Sequence, residues 1–151
     1  MSSNSIEFGG PYVQLATFCQ TAFPDPQGNL SVIRIIDRYQ VIGPTEEMVP
    51  SQVQLTLAVI LKSGSLSQQS KVTFQPVAPS GKRLPQLQWN VLFEGQERGV
   101  VITIPIGMML DEQGLYWCEI AVEGMVLTKI PLRILYQQVR SGITPGTLPE
   151  R

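Results

Sequence analysis

The chain has 151 residues, of which 43% are hydrophobic and only 15% charged, with 13 Gly, 12 Pro and a formal net charge of −1. This length predicts one domain whose core needs neither disulfides nor metal. The single basic pair, Lys82-Arg83, excludes a broad phosphate-binding surface, and the absence of histidine excludes Ser-His-Asp and Cys-His nucleophiles and the His-bearing zinc, iron and copper sites.

The beginning of the chain lacks the features of a secretory signal. Met1 to Phe8 contain neither a basic region nor an apolar one, and no apolar run approaches the roughly 18 residues that span a bilayer. We therefore expect residues 1–11 to be a flexible segment and the protein to be cytoplasmic, without a membrane partner. A mature form trimmed from an exported precursor would have the same sequence.

Apolar residues alternate with other residues in one segment after another, which is typical of β-strands. A first strand is predicted around residues 12–19, followed by a loop rich in Pro, Asp and Gly. The next run, Leu30–Ile36, is almost wholly apolar, as in a central strand of a sandwich. Residues 37–42 then lead into a break at Gly43-Pro44.

The clearest period of two lies between residues 53 and 61, where Val and Leu occupy every second position. A turn over residues 62–65 and an alternating segment over 71–75 follow. We interpret the two segments as the strands of a β-hairpin.

A surface loop over 78–85 separates this pair from a strand over 87–93, and another apolar stripe covers 100–106. Pro105 has no N–H to donate to a ladder, which predicts that its strand ends at a sheet edge or a bulge. Residues 108–110 are predicted to form a short helical turn.

The final strands are predicted over residues 116–122 and 126–136, joined by a tight turn at Glu123-Gly124. Alternation is lost from Gln137, so residues 137–151 are predicted to be a flexible tail. The sequence thus predicts an all-β domain over residues 12–136, a single antiparallel β-sandwich of about eight strands.

One motif carries more information than the strand pattern. Glu112 to Cys118 has the form acid-x-Gly-x-Tyr-x-Cys, which resembles the tyrosine corner that opens strand F of immunoglobulin-like sandwiches. The resemblance implies that the Tyr116 hydroxyl bonds to upstream backbone and that Tyr116 and Cys118 point into one core. Cys19 lies farther from Cys118 than in an ordinary immunoglobulin domain, and no Trp follows Cys19 at the strand C distance. We predict an immunoglobulin-like or related topology.

A looser resemblance covers most of the chain from Tyr12 to Tyr136. Its elements are the turn Gly28-x-Leu30-Ser31, the Ile-rich strand that ends at Asp37, and the closing hairpin with Ile130-Pro131-Leu132. Together these resemble an uncharacterised group of small bacterial proteins. The resemblance implies a bacterial β-sandwich and carries no activity.

Cys19 and Cys118 both fall in the middle of strands on apolar faces, where they could form an intersheet disulfide. In a chain without a signal sequence we expect two buried, reduced thiols instead. Neither cysteine has a neighbouring base or cation that would lower its pKa, so neither is predicted to be a nucleophile.

The other polar candidates lie in predicted turns. Asp37 could be a ligand or catalytic carboxylate, but a turn cap or an ion pair with Arg34 or Arg38 is expected. Paired acids could hold calcium, yet none has Asp-x-Asp-x-Asp spacing, and Ser80-Gly81-Lys82 lacks the context of a phosphate loop. The acid pairs are Asp111-Glu112, Glu46-Glu47 and Glu94 with Glu97, and the basic candidates are Arg98 and Lys82-Arg83.

The two tryptophans are expected to differ in exposure. Trp89 shares the apolar stripe of residues 87–93 and is predicted to pack in the core. Trp117 has the opposite orientation to Tyr116 and Cys118, which favours exposure and a platform for carbohydrate or peptide.

These patterns predict no catalytic, cofactor-binding or metal-binding residue, and no small-molecule ligand can be identified. The leading hypothesis is a non-catalytic module that binds another protein or itself through a sheet face, an edge strand or end loops. A structural subunit of a phage-like or surface assembly is the second. The third, a hydrolase or carbohydrate-binding protein that uses carboxylates, requires two acids about 5 to 9.5 Å apart.

Overall fold

The structure, a computed structural model, describes residues 9–139 and contains no helix in that range, hence none long or apolar enough to cross a membrane. It has nine β-strands. In chain order these are β1 (Tyr12–Pro24), β2 (Leu30–Ile36), β3 (Arg38–Gly43), β4 (Ser51–Lys62), β5 (Ser67–Val77), β6 (Leu87–Glu94), β7 (Gly99–Leu110), β8 (Gly114–Val122) and β9 (Met125–Gln138).

The strands form two sheets, a four-stranded one in the order β2-β1-β4-β7 and a five-stranded one in the order β3-β9-β8-β5-β6. Neighbours are antiparallel except β3, which runs parallel to β9. In immunoglobulin terms β1, β4 and β7 take the places of strands A, B and E, and β5, β6, β8 and β9 those of C, C′, F and G. The predicted all-β sandwich with immunoglobulin-like topology is confirmed, although no strand among residues 9–139 takes the place of D beside β7.

Alternate residues of both sheets meet in one core. Phe18 of β1 and Phe74 of β5 contact each other across it, with ring centroids 6.0 Å apart and planes at 88°. Edge-to-face pairs of this kind add stability beyond the apolar area they bury. The inner positions of the central strands are buried, namely Val53, Leu55, Leu57, Val59 and Leu61 of β4 and Tyr116, Cys118 and Ile120 of β8.

The predicted hairpin of residues 53–61 and 71–75 is wrong, because β4 and β5 lie in different sheets. The connection between them bonds to another loop instead of closing a ladder. Ser63 N donates to Arg98 O over 3.0 Å, and Gly64 O accepts from Glu97 N over 3.2 Å. Crossing between sheets lets each strand find partners on both sides while its apolar face enters the shared core.

Two other local predictions are also wrong. Leu30–Ile36 is an edge strand and not a central one, with Ile35 64% exposed. Residues 108–110 continue β7 instead of forming a helical turn, and Met108 lies opposite Val53. In that segment Met108 and Leu110 are buried while Met109 is exposed, which is the period of a strand.

Several predicted details hold. The strand that contains Pro105 is an edge strand. Glu123 and Gly124 have φ of 48° and 79°, as a two-residue type I′ hairpin turn requires. The last strand extends two residues past the predicted boundary, to Gln138. Residues 1–8 and 140–151 of the predicted flexible ends lie outside the described residues.

Candidate functional site

The most distinctive surface is the side of the four-stranded sheet that faces away from the core. Strand register aligns the side chains in the middle of this side in three cross-strand rows, which we call the outer face. The rows are Leu15 with Ile60 and Val101, Thr17 with Ala58 and Thr103, and Ile35 with Cys19, Thr56 and Pro105.

None of the residues in these rows is charged. Val101 and Ile35 are well exposed at opposite margins of the face, Leu15 and Ile60 are half-buried, and Ala58 is buried. The nearest charge on these strands' outward positions is Lys62, at the end of β4. The three rows therefore consist of small or apolar side chains and carry no charge.

The corresponding side of the five-stranded sheet is different. Lys71, Lys129 and Arg133 point outward there and are exposed. Glu119 forms an ion pair with Arg83 over 3.5 Å. One side of the sandwich thus has the composition of a hydrated surface, and the other does not.

A hairpin arm extends the outer face beyond the sandwich. β1 pairs with β4 only as far as Cys19 opposite Thr56, and after that it pairs with β2 alone. No residue from Gln20 to Ile36 is buried. Phe23 and Ile33 of the arm are among the exposed large apolar residues.

The side chain of Asp25 stabilises the turn at the tip of the arm. The Asp25 carboxylate accepts the backbone N–H groups of Gln27 and Asn29, each over 2.9 Å. Gly28 between them has φ of 85°, a conformation that glycine adopts without strain. The turn is therefore pre-organised by the residues around the Gly28-x-Leu30-Ser31 motif.

A notch of about 270 Å³ opens where β1 leaves β4, and Cys19, Thr56 and Pro105 line it. The Cys19 thiol donates to the Thr56 carbonyl over 3.6 Å, and burial raises the pKa of this thiol. Cys118 points into the core instead, and both cysteines are free and buried. The expectation of two buried thiols is confirmed.

The tyrosine corner is present as the motif predicts. The Tyr116 hydroxyl donates to Glu112 O over 2.7 Å and accepts from Glu112 N over 3.2 Å. The Glu112 carboxylate accepts the Ser80 N–H over 3.1 Å and the Ser80 hydroxyl over 2.8 Å. Glu112 therefore serves the fold, connecting the β5–β6 loop to the start of β8.

The acids Glu94 and Glu97 are the predicted pair that the structure brings into one cleft, of about 400 Å³ at the end of the sandwich. Each has a partner. Glu94 pairs with Arg98 over 3.2 Å, and Glu97 accepts the Tyr12 hydroxyl over 2.6 Å, which raises the pKa of Tyr12. The bond between Tyr12 and Glu97 connects the β6–β7 loop to the first strand.

The other polar candidates stay apart on exposed loops. Asp37 pairs with Arg38 over 3.6 Å, as expected, and Glu46 and Glu47 are exposed. Gly81 closes a surface turn by donating to Ala78 O over 2.8 Å. Within residues 9–139 no three His, Cys, Asp or Glu side chains cluster as metal ligands would.

Both tryptophans lie as predicted. Trp89 packs against the core, and its Nε1 has no hydrogen-bond partner within the described part of the chain. Trp117 is 43% exposed on the outward side of β8.

A family model matches residues 14–135, from the first strand to near the end of the last. The chain belongs to DUF6941, a family of unknown function. This confirms the expected membership of an uncharacterised group. The crystal structure of an immunoglobulin-like protein from Pseudomonas aeruginosa aligns with 82% of this chain and 95% of its own, at 10% identity and a TM-score of 0.42. Among curated proteins none matches.

The matched DUF6941 span contains the whole outer face, which sequence reasoning missed. A signal was present, because β4 and β7 carry no charged residue from Ser51 to Leu61 and from Gly99 to Leu110. The solvent side of a half-exposed strand is usually polar. The absence of charge from both strands distinguishes this face from the other side of the sandwich.

Proposed function

We propose that this DUF6941 domain is a non-catalytic interaction module that binds another protein through the outer face. The observation that carries the proposal is the absence of charge from all three rows, next to exposed apolar residues at their margins. The centres of protein interfaces are depleted of charged residues in the same way.

The energetics favour this side of the molecule. Covering an uncharged face removes apolar area from water at about 25 cal/mol per Å² and leaves no ionised group to be desolvated. Covering the five-stranded sheet would bury Lys71, Lys129 and Arg133, which is costly unless each finds a partner. The face is also held by backbone pairing of β1, β4 and β7, so its shape is set before a partner arrives.

We also propose that the partner is a protein and not a nucleic acid or membrane, and that the module acts in the bacterial cytoplasm. The formal charge of −1 supports the first point, because phosphate surfaces attract basic domains. The free thiols Cys19 and Cys118 support the second, since reducing compartments maintain cysteines in that state.

The test compares affinity-tagged wild type with two charge variants in extracts of the source cells at low salt. Val101→Lys places a charge on the outer face, where Val101 is 38% exposed. Leu135→Lys is the matched control, because Leu135 is 43% exposed on β9, on the outward side of the other sheet. We expect wild type and Leu135→Lys to retain the same protein and Val101→Lys to retain about tenfold less of it.

Two results would reject the proposal. One is that wild type retains no specific protein. The other is that all three baits retain it equally, which would place the contact elsewhere. Circular dichroism of each variant establishes that it is folded before the comparison is made.

A structural subunit of a larger assembly is the second candidate. It is favoured by the same uncharged face if a second copy covers it. Sedimentation velocity at increasing concentration separates the two, since a subunit forms rings, filaments or dimers without any other protein.

A further inference from the structure

We infer that β7 accepts an extended segment of the partner protein as an added strand, in the place that strand D occupies in immunoglobulin sandwiches. The inference rests on the proposed function, because it names how the partner attaches. It is carried by two neighbouring features, a sheet edge that no strand of residues 9–139 pairs with and an apolar groove beside it.

The edge is long and uncharged. β7 has 12 residues, Gly99–Leu110, and pairs with β4 along its whole length. No other strand within residues 9–139 pairs with its opposite side. The row of backbone N–H and C=O groups on that side is a template for another strand, and Pro105 is the one residue in β7 that lacks an N–H.

The other sheet edges carry the devices that usually prevent strand addition. β3 is only 6 residues long and begins with Arg38. β2 contains Arg34, which has φ of 56° and so interrupts the regular edge. β6 ends at Glu94. Among the edges, β7 combines the greatest length with no charge.

A groove of about 130 Å³ lies beside β7, between the two sheets. Its lining includes Phe74 of β5, Leu84 of the β5–β6 loop, Leu87 of β6, and Ile106 and Met108 of β7. A cavity of about 150 Å³ with similar lining holds a benzene molecule, so this volume suits one apolar side chain. Side chains of an added strand alternate in direction, so every second one would point between the sheets.

A second copy of this chain fits the groove less well than a loose segment does. If two copies paired through β7, the inward side chains of the incoming strand would be those at alternate positions from Val100 to Leu110. All of these are already packed in or against their own core. The groove would remain empty. We therefore assign the site to an extended, uncharged segment of a different protein, with apolar residues at alternate positions.

The direct test uses random dodecapeptides displayed on phage and selected against the full wild-type chain. The highest-affinity peptide is then synthesised and titrated into three proteins. Leu87→Glu places a charge at the mouth of the groove, where Leu87 is 40% exposed. Leu92→Glu is the control, since Leu92 is 54% exposed on the same strand and does not line the groove. We expect Leu87→Glu to bind the peptide with about tenfold lower affinity than wild type, and Leu92→Glu to bind it with the wild-type affinity.

Amide hydrogen exchange supplies the second readout. Peptide binding is expected to slow exchange of amides in Gly99–Leu110 that exchange rapidly in the free protein, because added-strand hydrogen bonds protect them. Equal binding to both variants, or no protection in β7, would overturn the inference. So would a selection that yields no alternating apolar peptide.

Binding of the natural partner to the variants distinguishes failure of this inference from failure of the proposed function. If the protein retained by wild type is lost with Val101→Lys but bound normally by Leu87→Glu, strand addition is wrong and the interaction module stands. If no protein is retained at all, the proposed function fails. A wild-type dimer that Leu87→Glu abolishes would instead assign the edge to a second copy.

Discussion

Tyr116 shows how one hydroxyl fixes the start of a core strand. Its ring is buried, and its oxygen bonds to both backbone groups of Glu112. Gly114, between them, has φ of 125°, and a Cβ there would lie 3.0 Å from Pro79 Cγ. Gly114 and Tyr116 therefore both stabilise the sharp turn that leads into β8.

Replacing Tyr116 by Phe should lower the free energy of unfolding by about 1–2 kcal/mol, since it removes two hydrogen bonds and leaves a backbone carbonyl unpaired. Tyr136→Phe is the control, because the Tyr136 hydroxyl donates to Thr45 O over 2.6 Å at an exposed site. Water can replace that bond, so a loss of about 0.5 kcal/mol is expected. Urea unfolding measures both, and equal losses would contradict this account of the corner.

Cys118 should make the protein less stable in alkaline solution. Burial raises the pKa of its thiol to about 12, whereas the thiol of an unfolded cysteine has a pKa of about 8.5. Between these values the native state holds a proton that the unfolded state has lost, so stability is full below the unfolded pKa and falls as pH rises. Thermal unfolding should show that this group lowers the free energy of unfolding by about 1–2 kcal/mol between about pH 8 and pH 10.

Cys118→Ala is the variant that isolates the effect. It is less stable at every pH because it leaves a cavity, but its stability should decline less steeply above about pH 9. Burial also raises the pKa values of Cys19 and Tyr116, so some slope persists. A wild-type slope that Cys118→Ala leaves unchanged would contradict the assignment.

At the scale of elements, the β1–β2 hairpin has two roles. The first half of β1 belongs to the sandwich and contributes Phe18 to the core, whereas the second half forms an arm with exposed apolar residues. The arm extends the outer face and contributes little to the core.

Replacing a phenylalanine in the core and one in the arm should show that the core contributes to stability and the arm does not. Phe74→Ala removes a fully buried ring and should cost about 3–5 kcal/mol. Phe23→Ala, in the arm, should lower the free energy of unfolding by only about 0.5 kcal/mol, because Phe23 is 49% exposed and lies outside the core. Denaturant unfolding compares the two, and a large loss for Phe23→Ala would mean that the arm packs as core.

Strand positions were predictable because alternation is a local property. The period of two placed β4 and β9, and Glu123-Gly124 placed the turn between β8 and β9. Sheet membership was not predictable from alternation, since a strand with a buried face has the same pattern beside either partner. Leu30–Ile36 appeared central because the exposed apolar residues of the hairpin arm form the same pattern as those of a core strand.

For the whole molecule, the sandwich and its corner followed from sequence, but the outer face did not. Its rows join residues of β1, β4 and β7 that are distant in the chain, and only the register aligns Cys19 with Thr56 and Pro105. The same holds for the bond between Ser80 and Glu112, which depends on the packing of two loops. Local patterns identify elements, whereas a functional surface depends on how those elements are paired.

The most direct test of the proposed role of the outer face is photo-crosslinking in the source cells. A photoreactive amino acid replaces Val101 on the outer face in one protein and Leu135 on the opposite side in another. We expect position 101 to form a discrete covalent adduct with another protein and position 135 to form none. Crosslinks from position 135 alone, or from neither position, would contradict the proposal that the uncharged face of the four-stranded sheet is where this domain binds.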